Sequence, residues 1–139
     1  GVGDDTHVVL YSTSHPMWAT RVWWMLRAFG FDQAAVLNGG FVKWQAEHRA
    51  VSTAAPKTRA NARFTPRPRP ALFTDKDEVL NSIGAPAVCT MNALSSESYR
   101  GENARYGRRG RIPGSVSLPA GSLLEPASGT FRSAEELDG

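Results

Sequence analysis

The sequence has almost no cysteine: Cys89 is the single thiol in 139 residues. One cysteine can form no internal disulfide and no cysteine-based zinc cluster. No apolar run approaches the roughly 20 residues of a membrane-spanning helix, so no membrane partner is expected. Neither an initiator methionine nor a signal-peptide pattern opens the chain, which begins at Gly1. The chain is therefore read as a processed or excised product, with the cytoplasm as the default location. Lysine is scarce too: 3 lysines stand beside 13 arginines. Arginine is the side chain whose planar fork holds oxyanions. What is present suffices for a core, because 41% of the residues are hydrophobic and 21% charged, which excludes a disordered tail.

The net charge is +3, and five arginines fall between Arg100 and Arg111 with Glu102 as the only acid among them. Such a stretch suits a small anion or a solvated loop. No aromatic ladder or DNA-binding motif accompanies it, so nucleic acid is not an expected partner.

The apolar, β-branched run His7-Val-Val-Leu-Tyr11 reads as a buried strand. The polar loop Ser12-Thr13-Ser14-His15 follows. Pro16 suits the first position of a helix, with Ser14 or His15 as its cap. Met17, Val22, Trp24, Met25, Leu26 and Phe29 would give that helix a wide buried face, and Gly30 would end it. A strand over 34–37 runs into the turn Asn38-Gly39-Gly40, and Phe41, Val42 and Trp44 predict a second helix. Strand, loop, helix, strand, turn, helix is the grammar of an α/β protein with a parallel sheet.

Between Val51 and Pro70 the composition changes, with Pro56, Pro66, Pro68 and Pro70 and few large apolar residues. This stretch predicts extended backbone laid over a surface. The α/β grammar then resumes. Thr74 can cap a helix carrying Val79, Leu80 and Ile83, and residues 87–91 predict a buried strand. A short helix around Ser95–Tyr99, the arginine-rich loop and a strand after Ile112-Pro113-Gly114 complete it. Ser133 and Glu136 have the spacing of a capping box, so a last helix starts close to the end of the chain.

Two segments together resemble tandem rhodanese-type sulfurtransferases. Val8–Tyr11, Ala19-Thr-Arg21-Val-Trp-Trp24, Gly30 and Val36-Leu-Asn-Gly-Gly-Phe-Val-Lys-Trp44 look like the closing half of a first rhodanese domain. Asn92-Ala-Leu-Ser95, Tyr99-Arg-Gly-Glu102 and Tyr106-Gly-Arg-Arg-Gly-Arg-Ile-Pro-Gly-Ser115 look like the opening half of a second. The resemblance thus divides the chain into residues 1–52, an interdomain linker over 53–70, and residues 71–139. It implies a rhodanese-like parallel sheet flanked by helices, its elements in circularly permuted order. The halves would complement each other within one chain or by a swap between two.

The implied activity moves a sulfane sulfur from thiosulfate or 3-mercaptopyruvate to a thiol or cyanide, through a persulfide on a loop cysteine, with no metal or organic cofactor. A helix N-terminus and backbone N–H groups would hold the thiolate. Here Ser12 stands where the first-domain cysteine would be. Its hydroxyl is a poor sulfur nucleophile without an activating base. Ser12, Thr13, Ser14 and His15 remain candidates for holding a small sulfur-donor anion, or simply for satisfying helix N–H groups. Cys89, inside the predicted strand, is read as a small core hydrophobe and not as a sulfur carrier.

The resemblance also offers Arg100 as a substrate contact, a surface ion pair being the other reading. Arg100 matches the second of two substrate arginines in such enzymes, Leu94 occupies the place of the first, and Asn92 that of an aspartate. Arg108, Arg109 and Arg111 are read as shaping the loop or rimming the cleft. The chain as written is expected to be inactive alone. The alternative is a non-catalytic rhodanese-like module that binds an anion or a protein.

Overall fold

A computed structural model describes residues 1–57 and 61–138. Residues 58–60, inside the expected linker, lie outside the described residues. The chain divides into two units. The first comprises Gly1–Phe73 with Pro126–Phe131, and the second Thr74–Glu125 with Arg132–Gly139.

In the first unit, β1 (Val8–Leu10) pairs in parallel with β2 (Ala34–Val36), in the register Val8 to Ala34 and Leu10 to Val36. The crossover between them is α1 (Met17–Ala28). Helix α2 (Gly40–Ala46) follows the glycine turn. The core is small: Ala19, Ala28 and Phe31 are its buried apolar residues. Trp23 pins α1 to the sheet by donating from Nε1 to the Ala34 carbonyl at 3.0 Å. The broad buried face expected of α1 is narrower in the structure, for Met17, Val22, Met25 and Phe29 are exposed. A sheet of two strands covers one flank of a helix and leaves the other to solvent.

The proline-rich stretch is docked along the first unit. The Arg67 and Arg69 amides donate to the Phe29 and Ala28 carbonyls, each at 2.8 Å. Phe64 packs edge-on against Phe31 and Phe73 edge-on against Trp24. Asp32 takes both nitrogens of the Arg69 fork at 2.8 and 2.6 Å. Gly30, at φ +84°, permits this approach, because a Cβ there would lie 2.7 Å from the Arg67 carbonyl oxygen.

The second unit holds α3 (Lys76–Ser82), β3 (Met91–Asn92), α4 (Ser96–Arg100), β4 (Val116–Ser117) and α5 (Ala134–Leu137). Strands β3 and β4 pair in parallel. Asp75, and not Thr74, caps α3: its carboxylate accepts from the Asp77 and Glu78 amides, both at 2.9 Å. The Ser133–Glu136 capping box forms as the spacing requires.

Two further expectations are corrected. The strand expected over 87–91 is confined to Met91–Asn92, since the chain turns at Pro86 with the Val88 amide bonded to the Ala85 carbonyl. The parallel sheet flanked by helices is present, but the two halves do not share one. β1 pairs with β2 and β3 with β4, in two separate two-stranded sheets. The circularly permuted single sheet is thus not what the described residues form.

Candidate functional site

The loop from Ser12 to Pro16 carries the chain from β1 into α1, so it lies at the C-terminal edge of the strand and the N-terminus of the helix. This is where an α/β unit binds anions, because the first helical N–H groups have no partner within the helix. Much of that capacity is used by the loop itself. Ser12 Oγ accepts from the Ser14 amide at 3.2 Å, and His15 Nδ1 accepts from the Met17 amide at 3.2 Å. Pro16, at the N-cap, contributes no donor.

The glycine turn closes on this loop. The Phe41 amide donates to the Ser12 carbonyl at 3.0 Å, and a Cβ on Gly40 would sit 2.8 Å from that carbonyl oxygen. Ser12, Ser14, Gly39 and Gly40 then face a cavity of about 240 Å³, with Pro126–Gly129 forming another wall. Thr13 and His15 are exposed and do not line it. The 126–131 segment is tethered by the Phe131 amide, which donates to Asn38 Oδ1 at 2.8 Å. Sequence reasoning reads Asn38 only as a turn residue, and no local pattern signals its partner 93 positions away.

In the second unit the guanidinium of Arg100 is occupied. Its Nε and Nη2 donate to the two carboxylate oxygens of Glu102 at 2.5 and 3.1 Å. That hydrogen-bonded pair holds the Glu102 carboxyl below the ordinary carboxylate range and raises the Arg100 guanidinium. Around it, Tyr99 donates from its hydroxyl to the Ser115 carbonyl at 2.5 Å. Arg111 lies over the Tyr99 ring at 4.3 Å and donates to the Tyr99 carbonyl at 3.2 Å. Arg111 thus ties the loop to α4 through Tyr99. Ser115 is buried, its Oγ donating to the Ile112 carbonyl. The structuring roles of Tyr99 and Ser115 are not legible in the sequence pattern. The Ser12–His15 loop belongs to the first unit and Arg100 to the second.

Cys89 requires correction: it is exposed, ahead of β3 and not within it. The turn at Pro86 lifts Val88 and Cys89 off the position a longer strand would have given them. Among the described residues no group of three or more His, Cys, Asp or Glu could hold a metal ion. No helix among them is long and apolar enough to cross a membrane.

A parallel strand that enters a helix through a short polar loop, closed by a glycine turn, defines an α/β protein with its candidate site at the strand's C-terminal edge. Residues 2–47 match the rhodanese-like domain family. Thiosulfate sulfurtransferase of Gallus gallus is 34% identical, over 99% of this chain and 48% of that protein. The 3-mercaptopyruvate sulfurtransferase of Escherichia coli is 30% identical, over 99% of this chain and 49% of its own length. Among solved structures, a 3-mercaptopyruvate sulfotransferase from Escherichia coli superposes with a TM-score of 0.80 at 26% identity, over 99% of this chain and 51% of that one. An anaerobic ergothioneine biosynthesis enzyme from Chlorobium limicola gives 0.83 at 26% identity, over 99% and 38%. Residues 2–47 thus carry a rhodanese-like domain match, the whole chain is similar to these sulfurtransferases, and it spans about half the length of the curated relatives it matches.

Proposed function

We propose that this chain is part of a sulfurtransferase and that it transfers no sulfur by itself. In such a reaction a thiolate attacks the outer sulfur of thiosulfate and the S–S bond breaks. Sulfite leaves with the bonding pair, and the resulting persulfide passes its sulfur to cyanide or a second thiol. The observation that carries the inactivity is Ser12, which holds the position between β1 and α1 where this chemistry needs a thiolate. Its hydroxyl already accepts the Ser14 amide, and the nearby His15 spends Nδ1 on the Met17 amide. Among the described residues these bonds leave no base arranged on the Ser12 hydroxyl to make an alkoxide. Cys89, though exposed, precedes its strand instead of leading from a strand into a helix N-terminus.

Within this reading, residues 1–52 are the closing half of one rhodanese-like domain, 53–70 its connection and 71–139 the opening half of another. A small sulfur-donor anion is the ligand, and a second copy of the chain is the protein partner. The lone thiol suits the reducing cytoplasm. The cavity beside Ser12 and Ser14 favours a second reading, a non-catalytic module that holds such an anion. For Arg100 to contact a donor, its guanidinium must first leave Glu102.

The test is thiocyanate formation from thiosulfate and cyanide by the purified chain. No turnover is expected, and thiosulfate binding seen by calorimetry would be weakened by Ser12→Ala. Turnover that disappears in Cys89→Ser would overturn the inactivity.

A further inference from the structure

We propose that the loop from Gly101 to Gly110 is a docking surface for an acidic segment of a partner protein, held by Arg105, Arg108 and Arg109. The proposal goes beyond the sulfurtransferase reading and does not rest on it.

The loop is ordered by its own contacts. Its two ends lie side by side, since a Cβ on Gly101 would sit 3.3 Å from the Gly110 nitrogen. The Glu102 amide donates to the Glu97 carbonyl and the Gly107 amide to the Ala104 carbonyl, both at 2.9 Å. Asn103 donates from Nδ2 to Ser98 Oγ at 3.0 Å. Just past the loop, Arg111 is fastened to Tyr99. None of these bonds uses the side chain of Arg105, Arg108 or Arg109. A loop that is already ordered loses little conformational freedom when it binds.

Its charge is unbalanced. Of the five arginines between Arg100 and Arg111, Arg100 is taken by Glu102 and Arg111 by Tyr99. Arg105, Arg108 and Arg109 are exposed, and among the described residues no carboxylate pairs with them. The Arg105 guanidinium lies 5.7 Å from the centre of the Tyr106 ring, which is itself 64% exposed. A guanidinium stacked on a ring keeps the N–H groups at its rim free for a carboxylate. Three like charges within residues 105–109 repel one another, and carboxylates from a partner relieve that repulsion.

The surroundings of the loop select the class of partner. The second unit carries 7 basic and 9 acidic side chains, a net charge of −2, and five of the 7 are the arginines of this stretch. A nucleic acid is held by positive charge that continues along its backbone. A unit of net negative charge supplies none beyond this one spot. A short acidic segment needs only the spot itself, where the planar forks take carboxylates in pairs.

The test follows the anisotropy of a fluorescent oligoglutamate peptide titrated with the full chain at low and at physiological ionic strength. Saturable binding that weakens as salt is raised is expected. Arg108→Gln combined with Arg109→Gln should weaken it roughly fivefold at low salt, the scale of two exposed ion pairs. Arg21→Gln combined with Lys57→Gln removes the same charge from the first unit and should leave the affinity unchanged. Amide chemical shifts of the unsubstituted chain should move at residues 101–110 when the peptide is added. Absence of binding at low salt, or shifts spread over the first unit, would overturn the proposal. Equal weakening by both variant pairs would do the same, because net charge alone would then attract the peptide. An oligothymidylate that binds the same arginines more tightly than the peptide would assign the loop to nucleic acid and overturn the acidic protein partner.

Discussion

Asp32 shows how an exposed pair can hold a segment in place. The Arg69 guanidinium hydrogen-bonds its carboxylate and lowers its pKa from the ordinary value, while Asp4 is lowered by the Thr65 amide. A carboxylate with a depressed folded-state pKa contributes stability that is complete above its unfolded value of about 3.9 and is lost as pH falls through the folded value. The docked segment should therefore stay in place at neutral and mildly acidic pH and loosen only below about pH 4. Fluorescence of Trp24, which packs on Phe73 at the end of that segment, should report the transition. Asp32→Asn should remove its own part of that transition. A second residue-scale prediction concerns Gly30. Alanine there is strained at φ +84° and collides with Arg67, so Gly30→Ala should cost about 1–3 kcal/mol in chemical denaturation. Gly84→Ala, with open space around it, should cost only the left-handed backbone penalty of about 1–2 kcal/mol.

Among the elements, α3 gives the plainest test. Asp75 accepts two amide hydrogen bonds and receives the reciprocal Glu78 contact. Asp75→Ala should destabilise the chain by about 1 kcal/mol, read as faster amide exchange in α3, whereas Thr74→Ala should do less. Both residues are good caps on adjacent positions, so the sequence pattern could not choose between them. Helix α1 and the turn into α2 were legible because Pro16, Gly30 and the Asn38-Gly39-Gly40 run act locally. The fate of residues 87–91 was not, because the apolar run has the composition of a strand but Pro86 turns the chain before it can pair. The exposure of Cys89 follows from that same turn. The candidate loop at Ser12–His15 could be located from sequence. The use of its side chains on its own amides needed coordinates, since a serine or histidine before a helix fits either role. Likewise, the Arg100–Glu102 pair is close in sequence, yet only the bidentate geometry shows the fork to be occupied.

At the scale of the whole molecule, each unit is built on a two-stranded parallel sheet among the described residues. The tether between Asn38 and Phe131 adds a constraint in time. Residues 74–125 separate Pro126–Phe131 from the rest of its unit, so on the ribosome the first unit must wait for them. At the usual pace of synthesis the delay is on the order of several seconds. Throughout that interval the wall of the cavity beside Ser12 is missing. A nascent chain halted before Pro126 should therefore be cut by protease at the 12–16 loop more readily than one halted well past Phe131, and the vectorial order of translation becomes part of how this unit matures.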